Sequence, residues 1–185
     1  LNLSSMTFMV GMGLGVAAMI RVGNQKGLMD FKELRRISLS IFLLTLILEV
    51  VFAVSFVALN DFLPTIYLDL GDASNMVDKM EVIKIAAELI LVAAVFQISD
   101  GLQVVVLGAL RGLQDVRIPT LITFVAYWII GFPISFYLGL YTPLQSTGIW
   151  IGLLSGLTAS AIMLYIRFNY LTKKLIAQRA LQEID

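Results

Sequence analysis

The chain has 185 residues, of which 59% are hydrophobic and 14% are charged, and its formal net charge is zero. Soluble proteins carry about 25% charged residues, so an ordinary soluble domain is excluded, and nothing in the charge indicates a nucleic-acid partner. Cysteine and histidine are both absent, which excludes disulfides, His-based metal sites and Ser-His-Asp catalysis. Because no nucleophile–base pair or metal-ligand set is visible either, we expect a protein that is not an enzyme and has no bound cofactor.

The hydrophobic residues are concentrated in five runs, each long enough to cross the hydrocarbon core of a bilayer, which takes about 17–25 residues. In chain order the runs cover residues 3–20, 37–59, 82–110, 118–140 and 147–168. Most of them lack a polar face. The predicted fold class is therefore an all-α polytopic membrane protein, with five transmembrane helices in residues 1–170 and a cytoplasmic tail in residues 171–185.

The distribution of positive charge predicts the orientation of these helices. All but two of the 13 Lys and Arg residues lie in the loop after the first span, in the loop after the third, or at the C-terminal end. The positive-inside rule makes these segments cytoplasmic, so a chain that crosses five times begins outside. Since Leu1 is not a start methionine, we expect the C-terminal portion of a longer protein. A complete five-span protein with a mis-assigned start is the alternative.

Small residues recur every four positions within three of the spans. They are Gly11 and Gly15 in the first span, Gly108 and Gly112 at the end of the third, and Gly148, Gly152, Gly156 and Ser160 in the last. Because this spacing lets helix backbones approach closely in lipid, it predicts helix packing rather than a phosphate-binding loop.

Further signals predict where helices end or bend. Residues 23–27 (Gly-Asn-Gln-Lys-Gly) offer Gly and Asn for a left-handed cap on the first helix. Asp30 is a predicted N-cap of the next helix, with Glu33 as its capping-box partner. Gly131 to Pro133, in the middle of the fourth span, predicts a kink.

Asp100 is the residue least expected from the composition, because it lies deep in the apolar third span. A charge at that depth costs roughly 2.5–3.5 kcal/mol on insertion scales. On a helix, Gln97, Asp100 and Gln103 form a polar arc roughly 120° wide. We interpret Asp100 as a cation-coupling residue at which a proton or Na⁺ competes with a cationic substrate, supported by the two glutamines. The alternative is a buried Asp that is satisfied by hydrogen bonds from these amides or from another helix.

Four other residues are candidates for lining a path or a substrate site. Glu49 lies near the middle of the second span, and Glu88 lies in the outer third of the third span. Either acid could line a path or pair with another helix. Tyr127 and Trp128 lie at mid-depth in the fourth span, where aromatic faces can hold organic cations. Core packing is the alternative role for this pair.

Three stretches together resemble the multidrug and toxic compound extrusion (MATE) family. They are Met-Ile-Arg-Val-Gly-Asn-Gln-Lys-Gly at 19–27, Phe-Gln-Ile-Ser-Asp-Gly-Leu-Gln at 96–103 leading to Gly-Ala-Leu-Arg-Gly at 108–112, and Tyr-Trp at 127–128 followed by Gly-Phe-Pro at 131–133. The matches run in order over nearly the whole chain. Residue Leu28 departs from the small residue that is usual in the family after the first stretch.

The resemblance implies that the five spans are helices eight to twelve of a two-lobe, twelve-helix antiporter in a bacterial inner membrane. Such a protein exports lipophilic cationic drugs in exchange for Na⁺ or H⁺, and Asp100 matches the helix-ten acid that takes part in cation coupling. The implied partners are small organic cations, membrane lipid, and N-terminal helices of the same protein that are absent from this sequence.

Two other functions compete with this interpretation. One is a lipid-linked oligosaccharide flippase of the same superfamily, which predicts a large basic central cavity, whereas the spans offer no mid-span Lys or Arg. The other is the membrane subunit of an ATP-driven complex. No Gly-rich nucleotide-binding loop with Lys and Ser or Thr occurs in the sequence, although an ATPase could be a separate chain.

Overall fold

The structure is a computed structural model that describes residues 2–60, 62–63 and 76–182, with side chains at 4–60, 62–63, 90–144 and 147–182. Its elements are α1 (Asn2–Gly27), α2 (Phe31–Ala58), α3 (Met76–Gly112), α4 (Arg117–Val125), a π-helical segment (Ala126–Gly131), α5 (Phe132–Tyr141) and α6 (Gln145–Gln182). Five stretches of the described chain are long and apolar enough to cross a membrane. The predicted all-α polytopic membrane fold with five spans is therefore confirmed.

The helices extend beyond the hydrophobic runs at their polar ends. α1 continues to Gly27, α2 begins at Phe31, and α6 continues to Gln182, through most of the predicted tail. Hydrophobicity marks only the part of a helix that lies in hydrocarbon, whereas backbone hydrogen bonding continues into the aqueous region. Composition alone therefore underestimates helix length here.

Helices α1 and α3 run parallel to each other and share one seam. Gly11 lies against Gly101, Gly15 against the backbone of α3 at Val104, and Gly23 against Gly112. Residue numbers therefore increase in the same direction along both helices. Two helices separated by one crossing must have the same direction in a polytopic protein. The seam is consistent with the alternation of crossings that the charge distribution predicts.

Glycine makes this close approach possible. A methyl carbon added to Gly108 would lie 2.8 Å from the Gly15 carbonyl carbon, and one added to Gly112 would lie 2.6 Å from the Met19 carbonyl oxygen. Gly152 is equally tight against the backbone of Ser135, across the α5–α6 seam. These contacts confirm the packing interpretation of the small-residue repeats.

Two apolar clusters flank the middle of α3. The larger joins α1, α2, α3 and α6, and Phe42 packs edge-on against Phe168 with ring centroids 5.1 Å apart. Its α3 members are Val105, Val106, Ala109 and Leu110. The smaller cluster joins Ala94 of α3 to Ala53, Phe56 and Leu63. Residues 97–103 of α3 therefore lie between two apolar regions.

The left-handed cap of α1 is displaced from its predicted position. Met29, not a glycine or Asn24, has a positive φ of 57°, and the Asp30 N–H donates to the Gln25 carbonyl in a Schellman-type closure. The helix ends at Gly27, within the predicted segment, but its left-handed residue follows two positions later. Asp30 is confirmed as the N-cap of α2, since its carboxylate accepts from the Glu33 N–H at 3.0 Å.

The bend predicted at Gly131 to Pro133 coincides with a π-helical segment rather than a simple proline kink. The Phe132 N–H donates to the Tyr127 carbonyl, five residues earlier. This wider turn precedes Pro133, which has no N–H of its own. π-Bulges occur frequently at functional sites, and this one includes both Tyr127 and Trp128.

Candidate functional site

A layer of polar side chains crosses the helices between the two apolar clusters. We call it the polar layer, and its members are Thr7, Glu49, Gln97, Ser99, Asp100, Gln103, Tyr127 and Thr158. Most of these residues bond to a neighbouring helix. Because polar groups in lipid need partners within the protein, these bonds fix the contacts that α3 makes in the middle of its span.

The two glutamines that flank Asp100 are buried and held by different helices. The Thr7 hydroxyl of α1 donates to Gln97 Oε1 at 3.0 Å, and the Tyr127 hydroxyl of the π-helical segment donates to Gln103 Oε1 at 2.8 Å. Both glutamines thus bond to other helices, and neither is hydrogen-bonded to Asp100 in the described chain. Whether the two glutamines support Asp100 stays a prediction.

Ser99 links α3 to a third neighbour. Its hydroxyl lies 2.9 Å from that of Thr158 on α6, within hydrogen-bond distance. In this layer α3 thus bonds to α1 through Gln97, to α6 through Ser99 and to the π-helical segment through Gln103. These three hydrogen bonds hold α3 against three neighbours on either side of Asp100.

Asp100 itself is half-buried and lies on α3 between the directions of Gln97 and Gln103. At 100° per residue, its side chain is about 60° around the helix from each glutamine. Among the described residues its carboxylate has neither a hydrogen bond nor an ion pair. No bond of the kind that the buried-Asp alternative requires is found in the described part of the chain, and the coupling role of Asp100 stays a prediction.

Glu49 is the second acid of the layer. It is 2% exposed, and its carboxylate occupies a slot between Gly11 of α1 and Gly101 of α3, which we call the glycine slot. A methyl carbon at Gly101 would lie 2.7 Å from Glu49 Cδ. Gly101 follows Asp100 directly in the chain, so the Glu49 side chain packs against the residue next to Asp100.

The layer contains acceptors but lacks a positive counter-charge. No Lys or Arg occurs between residues 37 and 78 or between 118 and 166. Arg111, eleven residues after Asp100, is exposed at the polar end of α3. Three buried atoms of the described chain have no hydrogen-bond partner: Glu49 Oε2, Gln97 Nε2 and Ser160 Oγ. No group of three or more metal-ligating side chains is found among the described residues.

Tyr127 and Trp128 are separated by the structure. Tyr127 joins the polar layer through Gln103, whereas Trp128 is 60% exposed and belongs to a row of aromatic rings on the outer side of α4 and α5. The row also contains Phe124, Phe132 and Phe136, with neighbouring ring centroids 5.8–6.2 Å apart. A cavity of about 380 Å³ lies beside this row, and it is lined by Tyr127, Trp128 and mainly apolar neighbours. A substrate-lining role for either residue stays a prediction.

Glu88 lies outside the described side chains, so its predicted role stays open. The sequence interpretation did not single out Thr7, Ser99 with Thr158, or the match between the glycine slot and Glu49. One signal was available for the slot: Thr7 and Gly11 are four residues apart, as are Gln97 and Gly101, so each helix presents a polar residue and a glycine on one face.

Comparison with known proteins identifies the family. The MatE family model matches residues 1–137. The chain belongs to the MatE family. It is 35% identical over 174 residues to a protein named "Probable multidrug resistance protein NorM" from Agrobacterium fabrum, covering 94% of this chain and 37% of that protein. It is also 37% identical over 175 residues to "Multidrug resistance protein NorM" of Photobacterium profundum, covering 92% of this chain and 36% of that one.

Solved structures share the MatE fold. The crystal structure of the eukaryotic MATE transporter AtDTX14 superposes with a TM-score of 0.79 at 19% identity, covering 96% of this chain and 39% of that one. The structure of an inward-facing multidrug resistance MATE family transporter of the MOP superfamily superposes with a TM-score of 0.76 at 16% identity. The match covers 94% of this chain and 39% of that one. The chain therefore spans somewhat more than a third of the length of the relatives it matches.

Proposed function

We propose that this MatE-family chain is part of a secondary active transporter that exports lipophilic cationic compounds in exchange for H⁺ or Na⁺. Asp100 binds the coupling cation. In this proposal the chain supplies five helices of one lobe, and further helices of the same protein complete the transport path. The protein resides in a cell inner membrane with its C-terminus in the cytoplasm, in keeping with the concentration of Lys and Arg at that end.

The observation that carries the proposal is the unpartnered carboxylate of Asp100 in the middle of a span. Ionisable residues at this depth are costly and mark ion or substrate pathways. Structural acids in a membrane are paired with a cation or with donors, and Asp100 has neither within the described chain. The bonds that Gln97 and Gln103 make to other helices use their Oε1 atoms, and no described bond joins either amide nitrogen to Asp100.

The names of the relatives support the transport class. Both NorM proteins are named for multidrug resistance, and both aligned structures are MATE transporters. A site with acids and without basic residues suits a positively charged substrate or ion better than an anionic lipid-linked sugar. This charge pattern is the reason for preferring cation exchange to the flippase alternative.

The test is export of a cationic dye by the full-length protein, measured as efflux from whole cells or as uptake into inverted membrane vesicles, with Asp100→Asn as the variant. The substitution keeps the size of the side chain and removes its charge. We expect loss of dye export driven by a Na⁺ or H⁺ gradient, at a membrane protein level equal to that of the unaltered protein.

Asp115→Asn is the matched control, because it makes the same chemical change at the polar end of α3, where Asp115 pairs with Arg167. We expect that variant to retain export. Normal gradient-driven export by Asp100→Asn would refute the coupling role. Export that requires ATP and does not depend on the Na⁺ or H⁺ gradient would instead indicate that the chain is the membrane subunit of an ATP-driven complex.

A further inference from the structure

We propose that Glu49 is a second acidic ligand of the Asp100 site, with its free Oε2 facing the monovalent cation, H⁺ or Na⁺, that is bound there. This inference rests on the proposed function, because it adds a residue to the coupling site. Three observations on Glu49 lead to it: the shape of its pocket, the unpartnered oxygen, and the absence of any basic group nearby.

The pocket of Glu49 is formed by glycine on two helices. Its Oε1 lies beside Gly11, where a methyl carbon would be 3.3 Å away, and its Cγ and Cδ pack against Gly101. The carboxylate thus reaches from α2 between α1 and α3, to the residue that follows Asp100. Any larger residue at 101 would displace it from this position.

Oε1 is the Glu49 oxygen nearest to both glycines of the slot. Oε2 is buried without a hydrogen-bond partner, in a residue that is 2% exposed. An ionised buried carboxylate with no partner is among the costliest groups that a protein can contain. Gln97, whose Nε2 is also unpartnered, lies one turn before Gly101 on α3. Such an arrangement is stable only if something absent from the chain itself neutralises the acid.

The elements packed around Glu49 supply no such group. On α1 the closest basic residue in sequence to Gly11 is Arg21, ten residues away and thus about 15 Å along the helix axis. On α2 the closest is Arg36, thirteen residues before Glu49. On α3 the ionisable residue next to Gly101 is Asp100, and the phenol of Tyr127 donates to Gln103, three residues after Asp100.

Glu49 packs against Gly101, the residue that follows Asp100, and no basic side chain of the described residues bonds to either acid, so a cation bound between the two carboxylates would offset their repulsion. A single monovalent cation between Glu49 Oε2 and Asp100 would satisfy both carboxyl groups. Either a proton shared by the two carboxyl groups or Na⁺ bound by their oxygens would supply this positive charge. Glu49 therefore contributes to affinity for the cation, while the more exposed Asp100 remains accessible to the path.

The test measures cation binding directly, on the purified full-length protein, without transport. Equilibrium binding of radioactive Na⁺ and the infrared carbonyl band of protonated carboxyl groups are compared for the unaltered protein, Glu49→Gln and Asp100→Asn. We expect Glu49→Gln to weaken Na⁺ binding by about tenfold or more, as the loss of a charged ligand would. If the site binds H⁺ instead, we expect Glu49→Gln to remove a carboxyl band that the unaltered protein has.

Thr45→Val is the matched control, because Thr45 is buried one turn earlier on α2 and its hydroxyl bonds only to its own helix, at the Ile41 carbonyl. This variant should bind the cation normally. Folded Glu49→Gln protein with unchanged Na⁺ affinity and an unchanged carboxyl band would overturn the inference. If Glu49→Gln does not fold, Glu49→Asp replaces it, since a shorter acid should lower the affinity and shift the band; no change in either would equally overturn it.

The two proposals fail in distinguishable ways. Loss of cation binding and export in Asp100→Asn, with Glu49→Gln unaffected, would remove Glu49 from the site and leave the proposed function standing. Normal gradient-driven export in Asp100→Asn would remove the proposed function itself.

Discussion

The seam between α1 and α3 permits a quantitative prediction for Gly108→Ala. The added methyl carbon would lie 2.8 Å from the Gly15 carbonyl carbon and 3.1 Å from Gly15 Cα, and both neighbours are backbone atoms. Carbon atoms pack at about 3.5–4.0 Å, so the helices must separate by roughly 0.7 Å or more. Overpacking of this kind costs about 1–3 kcal/mol, against a gain of about 1 kcal/mol from the better helix propensity of alanine.

Gly13→Ala isolates the steric part of this effect. Gly13 lies on α1 outside the α1–α3 seam, since nothing lies within 4 Å of a methyl carbon added there. Its replacement by alanine gains the same helix propensity as that of Gly108. We expect Gly108→Ala to be less stable than Gly13→Ala by about 1–3 kcal/mol. The assay is thermal or denaturant unfolding of the full-length protein in detergent micelles. Equal stability of the two variants would refute the close α1–α3 packing described here.

Two further substitutions and one double-mutant cycle have expected outcomes in the same unfolding assay. Tyr127→Phe removes the donor to buried Gln103 and should cost about 1–3 kcal/mol, unless Gln103→Leu is made with it. Met29→Gly relieves a left-handed residue and should stabilise by up to about 1 kcal/mol, whereas destabilisation would contradict the cap assignment. A double-mutant cycle between Asp115 and Arg167, paired at 2.8 Å and largely shielded from solvent, should give a coupling of about 1 kcal/mol that decreases with salt; zero coupling would contradict the pair.

The sequence predicts the membrane fold well because its signals are strong and local. Hydrophobic runs locate all five spans, and the four-residue glycine spacing predicts contacts that the structure contains, such as those of Gly108 and Gly152. The depth of Asp100 follows from its position within an apolar run. These inferences require only the period of a helix and the thickness of a bilayer.

What the sequence does not predict depends on pairing between helices. The polar residues of α3 could be assigned to one face, but not to partners, because the register between α1 and α3 is set by contacts that are about ninety residues apart in the chain. The occupation of the glycine slot by Glu49 is the clearest case. Likewise, the left-handed position falls at Met29, two residues after α1 ends at Gly27, which a local preference for glycine does not predict.

The role of Asp100 follows from how α3 distributes its polar residues. Gln97 bonds to α1, Ser99 to α6 and Gln103 to the π-helical segment, while Gly101 receives the side chain of Glu49 from α2. Every polar or small neighbour of Asp100 is thus used to hold another helix. Among the described residues Asp100 itself has no hydrogen bond or ion pair, in a part of α3 that is held on all these sides. If Asp100 binds the coupling cation as proposed, a movement of α1 or of the π-helical segment would shift a glutamine beside it and would thereby change the affinity for the cation.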